Sequence, residues 1–110
     1  MNESTATLWG GAFVARNGLD ATGIYNTYAL IAQSVTALGE DATNNYGLEH
    51  ASTTSADVTQ SVLEGATYSV HRSAGTIIVS NSRLIGGATG GTITCVAVSR
   101  GGTFNASGCP

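Results

Sequence analysis

Four residues raise the question of chemistry. Glu49-His50 and His71-Arg72 lie 22 positions apart, in stretches that align without gaps as "YGLEHAS" and "YSVHRSA". In that register Glu49 stands over His71, and His50 over Arg72. Carboxylate, imidazole and guanidinium groups on neighbouring strands are the raw material of an acid/base site, or of a patch for an anionic sugar. Tyr46 and Tyr68 head the two stretches and fall in one column. A row of tyrosines offers a sugar or a partner protein an aromatic surface with a hydroxyl at its edge. The same residues also suit a polar cross-strand ladder on an outer face, with tyrosine as ordinary strand filler. The remaining acids, Glu3, Asp20, Glu40, Asp41, Asp57 and Glu64, share no column. No nucleophile elbow, phosphate loop, paired-histidine zinc motif or calcium loop is present. No catalytic residue, metal site or cofactor is therefore assigned, and the chain is read as a non-enzyme.

Composition narrows the partners. The 110 residues suit one small domain. Four cationic residues, all arginine, stand against seven acids, for a net charge of -3. Binding a phosphate backbone needs clustered Lys and Arg, so nucleic acid is excluded as a partner. No apolar run is long enough to span a membrane. The start, "MNESTATLWGG", has no basic segment leading into an apolar one, so no secretory leader is read there. Glycine is abundant at 15, yet 42% of residues are hydrophobic. That combination supports a core of small side chains rather than a disordered chain.

The elements that must position these residues are repeats. "VTQSVLEG" (58–65) returns as "VSNSRLIG" (79–86), with a weaker copy in "IAQSVTAL" and a degenerate one in "LWGGAFVA". A second column holds Ile24, Leu48, Val70 and Val96, with Gly23, Gly47, Ser69 and Cys95 beside them. Periods of 21 to 27 residues signal a solenoid. Apolar and polar residues alternate with a period of two, and β-branched runs such as "TIIVS" favour strands. "YALIAQSVTALGED" (28–41) alone has helical spacing, and its sister copies do not. Stacking then gives interior ladders of Leu8, Ile31, Val58, Val79 and of Phe13, Thr36, Leu63, Leu84. An amide row of Gln33, Gln60, Asn81 and a hydroxyl row of Ser34, Ser61, Ser82 accompany them. The expectation is one all-β parallel solenoid domain over 1–110. It has about four coils, near 6–29, 30–55, 56–76 and 77–98, and a C-terminal cap over 99–110.

The stretches "QSVLEG" and "SNSRLIGG", followed by "GTITCVAVSRGGTFNASGCP", resemble the C-terminal coils of bacterial right-handed parallel β-helix repeat proteins. The matching positions are Val79 to Gly87 with Thr94, Cys95, Val96, Cys109 and Pro110. Between the two cysteines this chain has Phe104 as its one aromatic residue, where the family commonly carries aromatic and acidic ones. The resemblance implies a right-handed parallel β-helix and a bacterial protein that is secreted or at the cell surface. Because the family is functionally mixed, it implies fold more than activity.

In an oxidising compartment Cys95 and Cys109 read as a disulfide stapling the cap; two buried free thiols are the alternative. The functional expectation is a non-catalytic extracellular module with a structural, adhesion or self-assembly role. Its partner would be a copy of itself, or further coils of a longer parent helix, meeting the open first coil. A carbohydrate-binding module, with Tyr46, Tyr68, Glu49, His50, His71 and Arg72 as its surface, is the second reading. A fragment of a polysaccharide-degrading β-helical enzyme is the third.

Overall fold

A computed structural model of the chain describes residues 5–86, 89–100, 103–107 and 109. Eleven strands follow one another, with no helix among these residues: β1 (Thr5–Trp9), β2 (Ala12–Arg16), β3 (Asp20–Asn26), β4 (Ala29–Gln33), β5 (Thr36–Glu40), β6 (Asn44–Thr59), β7 (Val62–Gly65), β8 (Tyr68–Ser80), β9 (Arg83–Gly86), β10 (Thr94–Arg100) and β11 (Thr103–Ser107). All pairings are parallel except β10 with β11. The chain winds as a parallel β-solenoid of about three turns. The expected fourth coil is incomplete: its third side shrinks to a single bridge between His71 and Gly90.

Three faces result. The first stacks β1, β4, the end of β6, the end of β8 and the start of β10. The second stacks β2, β5, β7, β9 and the end of β10. The third stacks β3 with the starts of β6 and β8. The segment 28–41, with its helical spacing, forms β4 and β5 because each of its strands gains a hydrogen-bonding neighbour on both sides.

At an equivalent place in every coil a left-handed residue turns the chain from the first face to the second, and in the first coil Gly11 adds another. The equivalent residues are Gly10, Ser34, Gln60, Asn81 and Ala97, with φ between 48° and 70°. The backbone N–H groups of Gly10, Ser34, Gln60 and Asn81 each donate to the next coil at 2.9–3.2 Å, so the turn continues the ladder that holds it. That repetition offsets the cost of left-handed backbone at residues other than glycine.

The turn also corrects the register of the second coil. Ser34, not Gln33, is equivalent to Gln60, and Val35 is equivalent to Ser61 and Ser82. The interior ladders are therefore Leu8, Ala32, Val58, Val79, Cys95 and Phe13, Ala37, Leu63, Leu84. Ile31 and Thr36 point outward and are exposed. The identical "QSV" of coils two and three misleads by one residue, and one residue reverses every side chain in a strand. The hydroxyl row runs through Ser61 and Ser82 only. Ser82 Oγ accepts from Ser61 N at 3.1 Å, and Ser61 Oγ accepts from Val35 N at 3.2 Å. Gln33 still reaches Gln60, its Nε2 donating to Oε1 at 3.4 Å. Val96 leaves the third face for the first, where it pairs with Ser80.

The core between the faces is narrow. Leu30, Leu48, Leu63, Ile77, Leu84, Val58, Val70 and Val79 are among its fully enclosed side chains. At the corner between the second and third faces the backbones nearly touch, and glycine fills both sides. A Cβ on Gly47 would lie 2.5 Å from the Ser69 carbonyl oxygen, and one on Gly65 2.4 Å from that of Tyr68. These contacts are backbone to backbone, so no side-chain movement relieves them. Ser69 follows Gly23 and Gly47 in the same column, and its buried hydroxyl has no partner among the described residues.

Cys95 ends the first interior ladder and is bonded to Cys109, with Cα atoms 4.8 Å apart. Closing a loop of this size stabilises a fold by about 3 kcal/mol in the chain-entropy account. Of the expected cap, 101, 102, 108 and 110 lie outside the described residues.

Candidate functional site

The third face carries the residues that raised the chemical question. The parallel register sets Tyr46 opposite Tyr68, Glu49 opposite His71, and His50 opposite Arg72. Adjacent residues of a strand point to opposite sides, so these pairs divide between the outside and the inside.

Outside, Tyr46, Glu49, Tyr68 and His71 form one cluster. The His71 Nδ1–H donates to Glu49 Oε2 at 2.9 Å, with both side chains about a quarter exposed or less. The Tyr46 and Tyr68 rings stack at 5.9 Å, and the His71 ring lies 5.2 Å from Tyr68 and 5.6 Å from Tyr46. Gly90 covers the far side: a Cβ there would come within 3.0 Å of the Tyr68 ring and 2.7 Å of His71. The three rings are thus packed against one another and remain partly exposed. Partial burial, then the charges of Glu49 and Asp20 and the neighbouring Tyr68, pushes the Tyr46 hydroxyl above the ordinary tyrosine value. Asp20 starts the coil below and accepts from Asn44 Nδ2 at 2.8 Å. Tyr25, opposite Glu49, is exposed.

Inside, His50 is fully buried, not part of an outer ladder. Its Nε2–H donates to the Thr54 carbonyl at 3.1 Å, and its Nδ1 accepts from Asn26 Nδ2 at 2.8 Å. Both ring nitrogens are satisfied by the neutral tautomer. Asn26 in turn donates to the Tyr28 carbonyl, so the group is a closed polar knot at a corner. Arg72 also turns away from the outer cluster, and its Nε donates to the Gly75 carbonyl in the turn that follows. Its backbone N–H donates to Gly90 O at 2.9 Å.

Of the six residues singled out, four meet on the outside, while His50 and Arg72 serve the architecture. Asn26 escaped the sequence reading, although it sits one coil before His50 in a column already marked by Ile24 and Leu48. Gly90 escaped it too, because a single bridge has no repeat signature. Glu40, one of the acids that share no column, lies in β5 and forms an ion pair with Arg16 of β2. Among the described residues, no three His, Cys, Asp or Glu side chains are grouped so as to hold a metal ion.

The outer cluster can exchange a proton between Glu49 and His71 and can present tyrosine edges. The other carboxylate whose charge reaches the cluster is Asp20, held by Asn44. A shallow groove of about 620 Å³ lies elsewhere, along the turn between the first two faces, bordered by Gln60, Asn81, Arg83 and Ser99. Comparison with family models, curated proteins and solved structures returns no match to this chain.

Proposed function

We propose that the chain is a non-catalytic, extracellular β-solenoid module with a structural, self-assembling role. The observation that carries this reading is the first coil. Ala6, Leu8 and Phe13 occupy the interior ladder positions of the later coils, yet they are only partly buried, while Ala32, Ala37, Val58 and Leu63 are enclosed. Among the described residues nothing pairs with the outer edges of β1 and β2. An unpaired edge beside half-buried apolar side chains is a template for further strands. The other end carries β11 and the disulfide. A disulfide suits an oxidising compartment outside the cytosol.

The second reading, a carbohydrate-binding surface, draws on the edges of Tyr46 and Tyr68 and the exposed Tyr25. Stacking of these rings on each other and on His71 weighs against it, because it competes with a sugar for aromatic surface. The test runs the purified chain over neutral and acidic polysaccharide columns and follows its mass by sedimentation over a concentration series. The structural reading expects association that grows with concentration and no retention. Retention lost in Tyr46→Ala and Tyr68→Ala would replace it with the carbohydrate reading.

A further inference from the structure

At the corner between the first and second faces, side chains stand where glycine would cost less. Gly10 makes this turn in the first coil with φ 70°, and Ser34, Gln60 and Asn81 make it in the coils that follow, with φ 57°, 50° and 48°. Left-handed backbone is easiest for glycine, next for asparagine, and hard for glutamine. All three polar side chains are exposed, so packing does not account for them. They border the groove of about 620 Å³, which Arg83 and Ser99 flank on the second face. The floor beneath is fixed. The Ser61 hydroxyl donates to the Thr59 carbonyl and the Ser82 hydroxyl to the Ser80 carbonyl, and each accepts a backbone N–H from the coil before.

The groove also holds unspent bonding capacity. Arg16 pairs with Glu40, and the Arg72 Nε donates to the Gly75 carbonyl. The Arg83 guanidinium, exposed at the rim, has no partner among the described residues. The Asn81 side-chain amide has none among them either. Gln60 uses its Oε1 to accept from Gln33, which leaves its own Nε2 hydrogens available. Among the described residues no aromatic ring borders the groove, so it gives a sugar nothing to stack on.

We infer that this groove binds an extended peptide segment carrying an acidic side chain, laid along the solenoid axis with its carboxylate on Arg83. Each residue of an extended chain offers one backbone donor and one acceptor. A side-chain amide holds the same pair, so Gln60 and Asn81 can each bond to a peptide group. The guanidinium of Arg83 forks onto a carboxylate through two parallel N–H bonds. Neighbouring coils lie about 4.8 Å apart, so the corner runs about 14 Å from Ser34 to Ala97, the length of about four extended residues. The row ends at Ala97 in a methyl group, and Val62 adds a second apolar patch for the stems of the segment's side chains. The site goes beyond the structural role proposed above. It uses the outside of the second and later coils, and it stands whether or not copies assemble.

The test titrates the full chain into fluorescently labelled pentapeptide pools, blocked at both ends, with glutamate, glutamine or arginine fixed at the centre, and reads anisotropy. The glutamate pool is expected to bind, more weakly as salt rises, and at least about ten-fold tighter than the glutamine pool. Arg83→Gln should erase that preference. Gln60→Gly and Asn81→Gly should each weaken binding about five-fold without lowering the melting temperature, because glycine fits the left-handed turn. Side chains kept only for the fold would not give that result, so a melting temperature that falls with these substitutions overturns the inference. Equal binding of the glutamate and glutamine pools overturns the role of Arg83. Binding indifferent to all three substitutions overturns the groove, and no binding of any pool at millimolar concentration overturns the site. Trigalacturonate that binds more tightly than every pool overturns the peptide and gives the groove to an acidic sugar.

Discussion

His50 and His71 lie one coil apart in almost the same column, and their surroundings differ completely. His50 is sealed inside, with both ring nitrogens bonded to Asn26 and the Thr54 carbonyl. His71 lies outside, against Glu49 and two tyrosine rings. The inside of the third face is built from glycine, leucine, valine and one polar knot, at backbone-contact distances. The outside is built from pairwise contacts that water partly reaches. Interior contacts are therefore expected to set whether the solenoid forms, and exterior ones to tune it.

The sharpest way to break this contrast is at the glycine corner. Gly65→Val puts branched carbons against the carbonyl oxygens of Tyr68 and Asn45. No flexible side chain can yield there, so the loss should reach about 3 kcal/mol or more, the upper end of what overpacking costs. Thermal unfolding followed by circular dichroism would read it. A variant that melts within a few degrees of the wild type would show that the two faces can separate at this corner.

Removing the polar knot should cost less. His50→Leu is close in volume but strands the Thr54 carbonyl and one bond of Asn26. Each buried group left without a partner costs about 1–3 kcal/mol, offset in part by the added apolar burial. A net loss of about 2 kcal/mol in urea unfolding is the expected result. An unchanged midpoint would mean that water replaces the imidazole.

The smallest effect belongs to the outer face and depends on pH. The folded-state pKa of Tyr46 lies above its unfolded value of about 10, so the folded chain holds this proton longer. Its contribution is whole below about pH 10 and is lost as pH rises through the folded value. Tyr46→Phe cannot ionise and should lose less stability over that interval than the wild type. Melting curves from pH 9 upward on both chains would compare them. Parallel decline of the two would assign the alkaline loss to other tyrosines.

Much of this contrast was legible in the sequence, unevenly. The Tyr46–Tyr68, Glu49–His71 and Leu48–Val70 pairings were read directly, because coils three and two share an ungapped third side. The mistake in the second coil came from matching the letters "QSV", when the backbone turn at Ser34 sets the register. The interior place of His50 was within reach of the alternation rule: with Glu49 outside, its neighbour had to face in. A patch of four adjacent charged residues on one face was therefore never available to a strand.

The sequence by itself determined the class of structure. Its period and its alternation require strands that stack, since no single coil can bury its own Leu, Ile and Val. It also placed two cysteines where a bond could close the last coil. Only the tertiary structure decided which neighbours face in, where the glycines let two faces touch, and that the tyrosine rings are turned against one another. Those outcomes depend on the left-handed turns and on how closely the backbones of neighbouring faces approach. Such distances arise from all coils together and are written in no one of them.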